Sequence, residues 1–137
     1  MNRPKTINLD ITSRCTLACS GCDRVWYKNN GKTIPKHDLS LEEFDKISNY
    51  FEKILFCWQI SDPIFNPYFI DMLKMCHEKN VEVQISTAAS HRPEEWYVKA
   101  FEANPKAKWI FGLDGFPKDS HKYRINQDGE KLFKIMK

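Results

Sequence analysis

Three cysteines, Cys15, Cys19 and Cys22, form a Cys-x3-Cys-x2-Cys array within the stretch "INLDITSRCTLACSGC". Three thiolates on one short loop can bind three irons of a cubane 4Fe-4S cluster and leave the fourth iron without a protein ligand. An open iron is a reaction site. The other chemistry available to the array is a structural zinc site with His37 or Asp23 as fourth ligand. Zinc sites usually carry two short knuckles far apart, whereas Cys57 and Cys76 are isolated and read most simply as core residues.

The whole chain bounds what can surround this loop. Its 137 residues make one domain, long enough to bury a core without staples, and 42% hydrophobic with 28% charged residues excludes disordered and fibrous classes. The net charge of +3 is spread along the chain, a weak argument for nucleic acid. No stretch has the apolar length of a signal peptide or of a membrane span, so the expectation is a cytoplasmic protein without membrane contact. An odd cysteine count, clustered, favours metal or redox chemistry over a disulfide framework.

Strand-like and helix-like segments alternate with no internal repeat, the order of βαβ units and a mainly parallel sheet. The first strand is "TINLDIT", 6–12, with Ile7, Leu9 and Ile11 alternating with polar residues, and a loop from Ser13 to about Asp38 follows. Ser40 and Glu43 make a capping box for a helix whose apolar stripe is Leu41, Phe44, Ile47 and Phe51. "KILFCWQI" is the second strand. Asn66 and Pro67 start a second helix with Phe69, Met72, Leu73 and Cys76 inward, and Asn80 ends it. "VEVQIST" is the third strand, 93–103 a helix with Trp96, Ala100 and Phe101 inward, "AKWIFGLDG" the fourth strand, and "EKLFKIMK" the start of another helix.

If the apolar sides of these strands pack on helices, Asn8, Asp10, Glu82, Gln84 and Ser86 line a solvated interior. Such an interior suits a βα barrel, where chemistry collects in the loops after the strands. Those loops are the cysteine loop, "SDP", "TAASHR" and "DGFPKDSHKYR".

The cysteine spacing directly after a first strand resembles that of the radical S-adenosylmethionine superfamily. The resemblance implies a 4Fe-4S cluster on Cys15, Cys19 and Cys22, with S-adenosyl-L-methionine chelated at the open iron and cleaved to a 5'-deoxyadenosyl radical that abstracts a substrate hydrogen. Many members carry an aromatic residue before the third cysteine; this chain has Gly21. "ISDP" stands where the family's Gly-Gly-Glu-Pro motif holds the methionine amino group, which carries that role to Asp62. "ISTAAS" resembles the third-strand Ser-Thr-Asn-Gly pattern beside the ribose, matching at Ser86 and Thr87. "FGLDG" with "HKYR" resembles the fourth-strand Ser-x-Asp-Gly segment and a downstream arginine. Arg124 is thereby the candidate to grip the cofactor carboxylate bidentately, with Asp114 orienting it or the substrate.

The resemblance implies an α/β fold, a parallel partial TIM barrel of about four βα units, with 1–137 forming a core domain truncated after the fourth strand. It implies a substrate, peptide or nucleoside, and a reductant such as flavodoxin or ferredoxin. A sheet edge left open after the fourth strand leads to the expectation of a homodimer or of a complementing C-terminal half. The chain would then be a cluster-binding subunit, and a zinc module is the non-enzymatic alternative. Arg24, Lys28, Lys32 and Lys36, with Trp26 and Tyr27 among them, suit a phosphate-rich substrate, an electron donor or simply a solvated face. His91 and His121 read as solvated loop histidines.

Overall fold

A computed structural model describes residues 5–56 and 60–137. Four parallel strands, β1 (Thr6–Asn8), β2 (Lys53–Phe56), β3 (Glu82–Thr87) and β4 (Lys108–Phe111), lie in the order β1-β2-β3-β4. Helices α1 (Asp23–Asn29), α2 (Leu41–Ser48), α3 (Phe69–Glu78), α4 (Glu94–Ala103) and α5 (Gly129–Ile135) connect or follow them. The fold is α/β, a four-stranded portion of a parallel barrel. Cys57 lies outside the described residues.

Alternation within the strands builds the two faces. Ile54 and Phe56 of β2 and Val83, Ile85 and Thr87 of β3 are buried. They meet the inward sides of α2 and α3, where Phe44, Phe69, Met72, Leu73 and Cys76 are also buried. Phe69 lies edge-on to Phe56, and Trp109 and Phe111 of β4 extend the aromatic packing to Tyr97 of α4. Tyr97 is 1% exposed and donates its hydroxyl to the Ala89 carbonyl, so its polar tip is satisfied inside the core. The opposite face carries Asn8, Leu55, Glu82, Gln84, Ser86, Lys108 and Ile110, exposed or half-buried and set in register across the sheet.

Helix α2 begins as its residues dictate: Ser40 accepts from the Glu43 N–H while the Glu43 carboxylate accepts from the Ser40 N–H. Three elements differ from expectation. β1 ends at Asn8 because the backbone then turns to a second partner, with Leu39 N–H on the Ile11 carbonyl and Ser13 N–H on the His37 carbonyl, both at 2.8 Å. The presumed loop 13–38 contains α1, which buries none of its residues and so leaves no apolar stripe to read. α3 begins at Phe69, not at Asn66, because Asn66 has a different task.

Asn66 is 1% exposed. Its amide Nδ2 donates to the Ile11 carbonyl at 2.6 Å and the Leu39 carbonyl at 3.0 Å, and its Oδ1 accepts from the Tyr68 N–H at 2.8 Å. One side chain thus fixes the exit of β1, the entry to α2 and the entry to α3. Asn66→Ala strands polar backbone groups in the interior and is expected to cost about 2–4 kcal/mol, read as a lowered urea midpoint with unchanged slope.

Candidate functional site

All four strands point their C-terminal ends at one region, and the segments leaving those ends enclose a cavity of about 410 Å3. Cys15, Cys19, Cys22, Asp62, Asp114 and Arg124 all line it. The segments that bring them together are separated by up to about a hundred residues of chain. Ser86 does not line it; it stands on the open sheet face opposite Ile110, one residue below the mouth.

The cysteine loop is held from several sides. Arg24 of α1 donates Nη1 to the Ser13 carbonyl at 2.6 Å and to the Ile60 carbonyl at 3.1 Å, tying the segments after β1 and β2 to the helix that follows Cys22. The Ala18 N–H reaches the Ile125 carbonyl at 3.0 Å, and Asn126 Nδ2 reaches the Thr16 carbonyl at 3.1 Å. Within the loop the Leu17 N–H points at the Cys15 sulfur at 3.4 Å. Burial pushes the Cys15 thiol up to about 11 and raises Cys19 as well, although Arg124 pulls Cys19 the other way. An anionic sulfur here therefore needs a partner charge, which a metal supplies.

Asp62 is 2% exposed and surrounded by donors. Its Oδ2 accepts from the Ala88 and Ala89 N–H groups at 2.9 Å each and from the Thr87 hydroxyl at 3.0 Å. Its Oδ1 accepts from the Thr87 hydroxyl at 2.8 Å and the Ile64 N–H at 3.3 Å. Burial pushes the carboxyl above its ordinary range while these donors pull it back. The side chain that the family resemblance suggested for an amino group lines the cavity and also joins the second strand's exit to the third's. Ser61 beside it donates to Asp10 at 2.9 Å, a matching link to the first strand.

Arg124 is buried, its Nε donating to the Asp114 carboxylate and its Nη1 lying 4.0 Å from the Cys19 sulfur. The guanidinium rests against bare backbone: a Cβ on Gly112 would stand 3.0 Å from Nη2. Tyr123 supplies an aromatic neighbour that the sequence did not reveal. A Cβ on Gly21 would stand 3.0 Å from its hydroxyl oxygen, so the Tyr123 ring tip lies close against the bare glycine before Cys22. Gln127 was also missed; its Nε2 donates to the Ala88 carbonyl at 2.6 Å and the Gly112 carbonyl at 2.8 Å, joining the ends of β3 and β4.

Cys76 is a core residue whose burial pushes its thiol up to about 12. His121 is exposed in the 3-10 turn Pro117–Lys122. His91 stacks on Phe65 with centroids 3.9 Å apart and planes 5° from parallel. Among the described residues, no three His, Cys, Asp or Glu side chains converge on a position for a single ion.

No protein-family model matches the chain. The tungsten-containing aldehyde ferredoxin oxidoreductase cofactor-modifying protein of Pyrococcus furiosus is 26% identical over 114 residues, 82% of this chain and 32% of that protein. The crystal structure of methylornithine synthase (PylB) matches with a TM-score of 0.64 at 16% identity, covering 98% of this chain and 41% of that one. BtrN in complex with AdoMet and 2-DOIA matches at 0.64 and 15% identity, covering 96% of this chain and 56% of that one. The chain thus spans about a third of the curated relative and about half of the two solved structures. Among the described residues, no helix is long and apolar enough to cross a membrane.

Two outcomes follow from the geometry. Asp62→Asn turns an amide NH2 toward N–H donors in either orientation, so it is expected to destabilise by about 2 kcal/mol or more in urea unfolding. Partial burial, then Arg92 and Lys131, push His91 from an ordinary 6.5 down to about 4. The unfolded chain therefore takes up this proton first, and the stability present above pH 6.5 falls as pH drops toward 4. Between pH 7 and pH 5 the urea midpoint of His91→Gln should fall less than that of the wild type.

Proposed function

We propose that the chain is the N-terminal part of a radical S-adenosylmethionine core. Cys15, Cys19 and Cys22 would hold a 4Fe-4S cluster, and S-adenosyl-L-methionine would bind beside it. The observation that carries this reading is one cavity at the C-terminal ends of four parallel strands, lined by three cysteines and a buried arginine.

The donor set fits the group. Zinc draws its thiolates to about 2.3 Å from one point, whereas a cubane takes each thiolate on a different iron and leaves the sulfurs apart. All three cysteines line one cavity, and their placement on one short loop with no second knuckle is what favours the second arrangement. A cavity of about 410 Å3 also lies in the range of small-molecule sites. The likeness to BtrN, solved with AdoMet, and to a cofactor-modifying protein supports the same reading.

When bound, the cluster and S-adenosyl-L-methionine supply a 5'-deoxyadenosyl radical that takes a hydrogen atom from a substrate. This chain's residues bind and aim. Arg124, held by Asp114, presents a fixed guanidinium beside Cys19, placed to counter thiolate charge and to grip a carboxylate in the cavity. Asp62 shapes the floor by fixing the Ala88 and Ala89 backbone, and Ala88 lines the cavity. Ser86 is left for the part of a ligand that reaches down the open sheet face. Leu17, which is buried, and Tyr123 add apolar surface to the cavity lining beside the cysteine loop. A complete barrel, from a longer chain, a second copy or a complementing half, would close the remaining side.

Anaerobic reconstitution with iron and sulfide, followed by dithionite and S-adenosyl-L-methionine, tests the reading. The expected results are a 4Fe-4S absorbance and electron-spin signature, formation of 5'-deoxyadenosine, and loss of the cluster in each of Cys15→Ala, Cys19→Ala and Cys22→Ala. Tight zinc binding with no iron uptake overturns it. A cluster that yields no 5'-deoxyadenosine assigns this chain a cluster-binding role without complete activity.

A further inference from the structure

A groove of about 650 Å3 lies on the outer side of the cysteine loop, between residues 15–18 and helix α1 with the turn that follows it. Cys15, Leu17 and Arg24 line both this groove and the inner cavity, so an occupant of the groove rests against the back of the cysteine loop. The cofactor contacts assigned above leave the groove open.

Charge over the whole chain argues only weakly for nucleic acid, but its placement here is local. The segment from Arg24 to Lys36 holds Arg24, Lys28, Lys32 and Lys36 and no aspartate or glutamate, more positive charge than the net +3 of the entire chain. Lys28 and Lys32 line the groove and no carboxylate does; among the described residues neither lysine takes part in an ion pair. Two aromatic rings stand with them. Trp26 is 51% exposed beside the groove and Tyr27, on its wall, 37%. The rings meet edge to face at 5.5 Å, and the Lys32 ammonium sits 4.7 Å from the Trp26 centroid. Helix α1 buries none of its residues, so these rings contribute nothing to the core. Thr16 and Thr33 add exposed hydroxyls to the lining. An acidic peptide would engage the cations alone. A nucleotide chain engages all three kinds of group, with phosphates on the ammoniums, sugar and phosphate oxygens on the hydroxyls, and bases on the rings.

We propose that this groove is a binding site for single-stranded nucleic acid, in which Lys28 and Lys32 hold backbone phosphates while Tyr27 and Trp26 offer faces on which bases stack. Such contacts go to the backbone and to ring faces, so binding tolerates many sequences and weakens steeply with salt as counterions return to the freed phosphates. It needs neither cluster nor cofactor. Success or failure of this proposal is therefore separate from that of the cluster reading above.

Fluorescence anisotropy with labelled mixed-sequence single strands of about twelve nucleotides, one RNA and one DNA, tests the site on the chain as purified. At least one strand should bind, and its affinity should fall about tenfold between about 50 and 200 mM salt, the loss that two or three neutralised phosphates bring. Lys28→Gln/Lys32→Gln should weaken binding by about tenfold or more and lower the slope of log affinity against log salt by about 1.4. Lys99→Gln/Lys106→Gln removes equal charge outside the groove and should leave affinity and slope unchanged. Trp26→Leu should weaken binding by about fivefold or more with the salt slope kept, because it removes a stacking face and no charge. All five substituted side chains are exposed, so the urea midpoints should match the wild type. Failure of both strands to bind overturns the proposal, as does an equal effect of the two lysine pairs or an unaltered affinity in Trp26→Leu. An oligoglutamate peptide that displaces the strand at equal concentration reassigns the groove to acidic peptides and also overturns it.

Discussion

A carboxylate taken out of water must have its oxygens answered by protein donors, and Asp62 sets that demand at the centre of this fold. Its donors come from the turn that follows it and from the exit of β3, so satisfying one side chain fixes the relative position of two strand ends. Arg24 does the same for the segments after β1 and β2, and Gln127 for those of β3 and β4. Three polar stitches therefore run across four strand ends. The cavity floor is made of backbone that these stitches hold, and the cysteine loop hangs above a surface that has little freedom to shift.

The parts of this arrangement that depend on periodicity were legible in the sequence. Alternation marked β3 and the two faces of the sheet, and the Ser40–Glu43 box marked where α2 begins. The cysteine triad stood out by residue type and spacing, Asp114 and Arg124 only through the family resemblance, and all five line one cavity. What escaped was structure with no period. Helix α1 has no inward stripe, Tyr97 carries a polar tip into the core, and Asn66 reads as a helix cap until its amide is seen joining distant carbonyls. Asp62 shows what a motif position leaves out: the resemblance located the residue, and the fold adds the backbone and hydroxyl donors that its oxygens accept from.

Electrostatics ties the site's two halves together. The β4 segment contributes a cation and its orienting carboxylate, while the cysteine loop contributes groups that burial keeps protonated when nothing compensates their charge. The guanidinium has its anion within its own segment in Asp114, whereas a buried thiolate would need a cation from elsewhere. Arg124 beside Cys19 offsets part of the burial that raises that thiol. The fold likeness at 15–16% identity rests on the strands and helices, whereas this pairing belongs to the side chains of this sequence.

The link between Asn126 and Thr16 closes a loop of 110 residues. On a ribosome, the cysteines leave the exit tunnel long before Tyr123, Asn126 and Gln127 exist to meet them. Until those residues emerge the thiols are a local array on an unfinished scaffold. The side of the site that covers Gly21 and contributes Arg124 is made after the cysteine loop. The cysteine loop thus depends for its final surroundings on residues more than a hundred positions away, a non-local closure of the kind that slows folding.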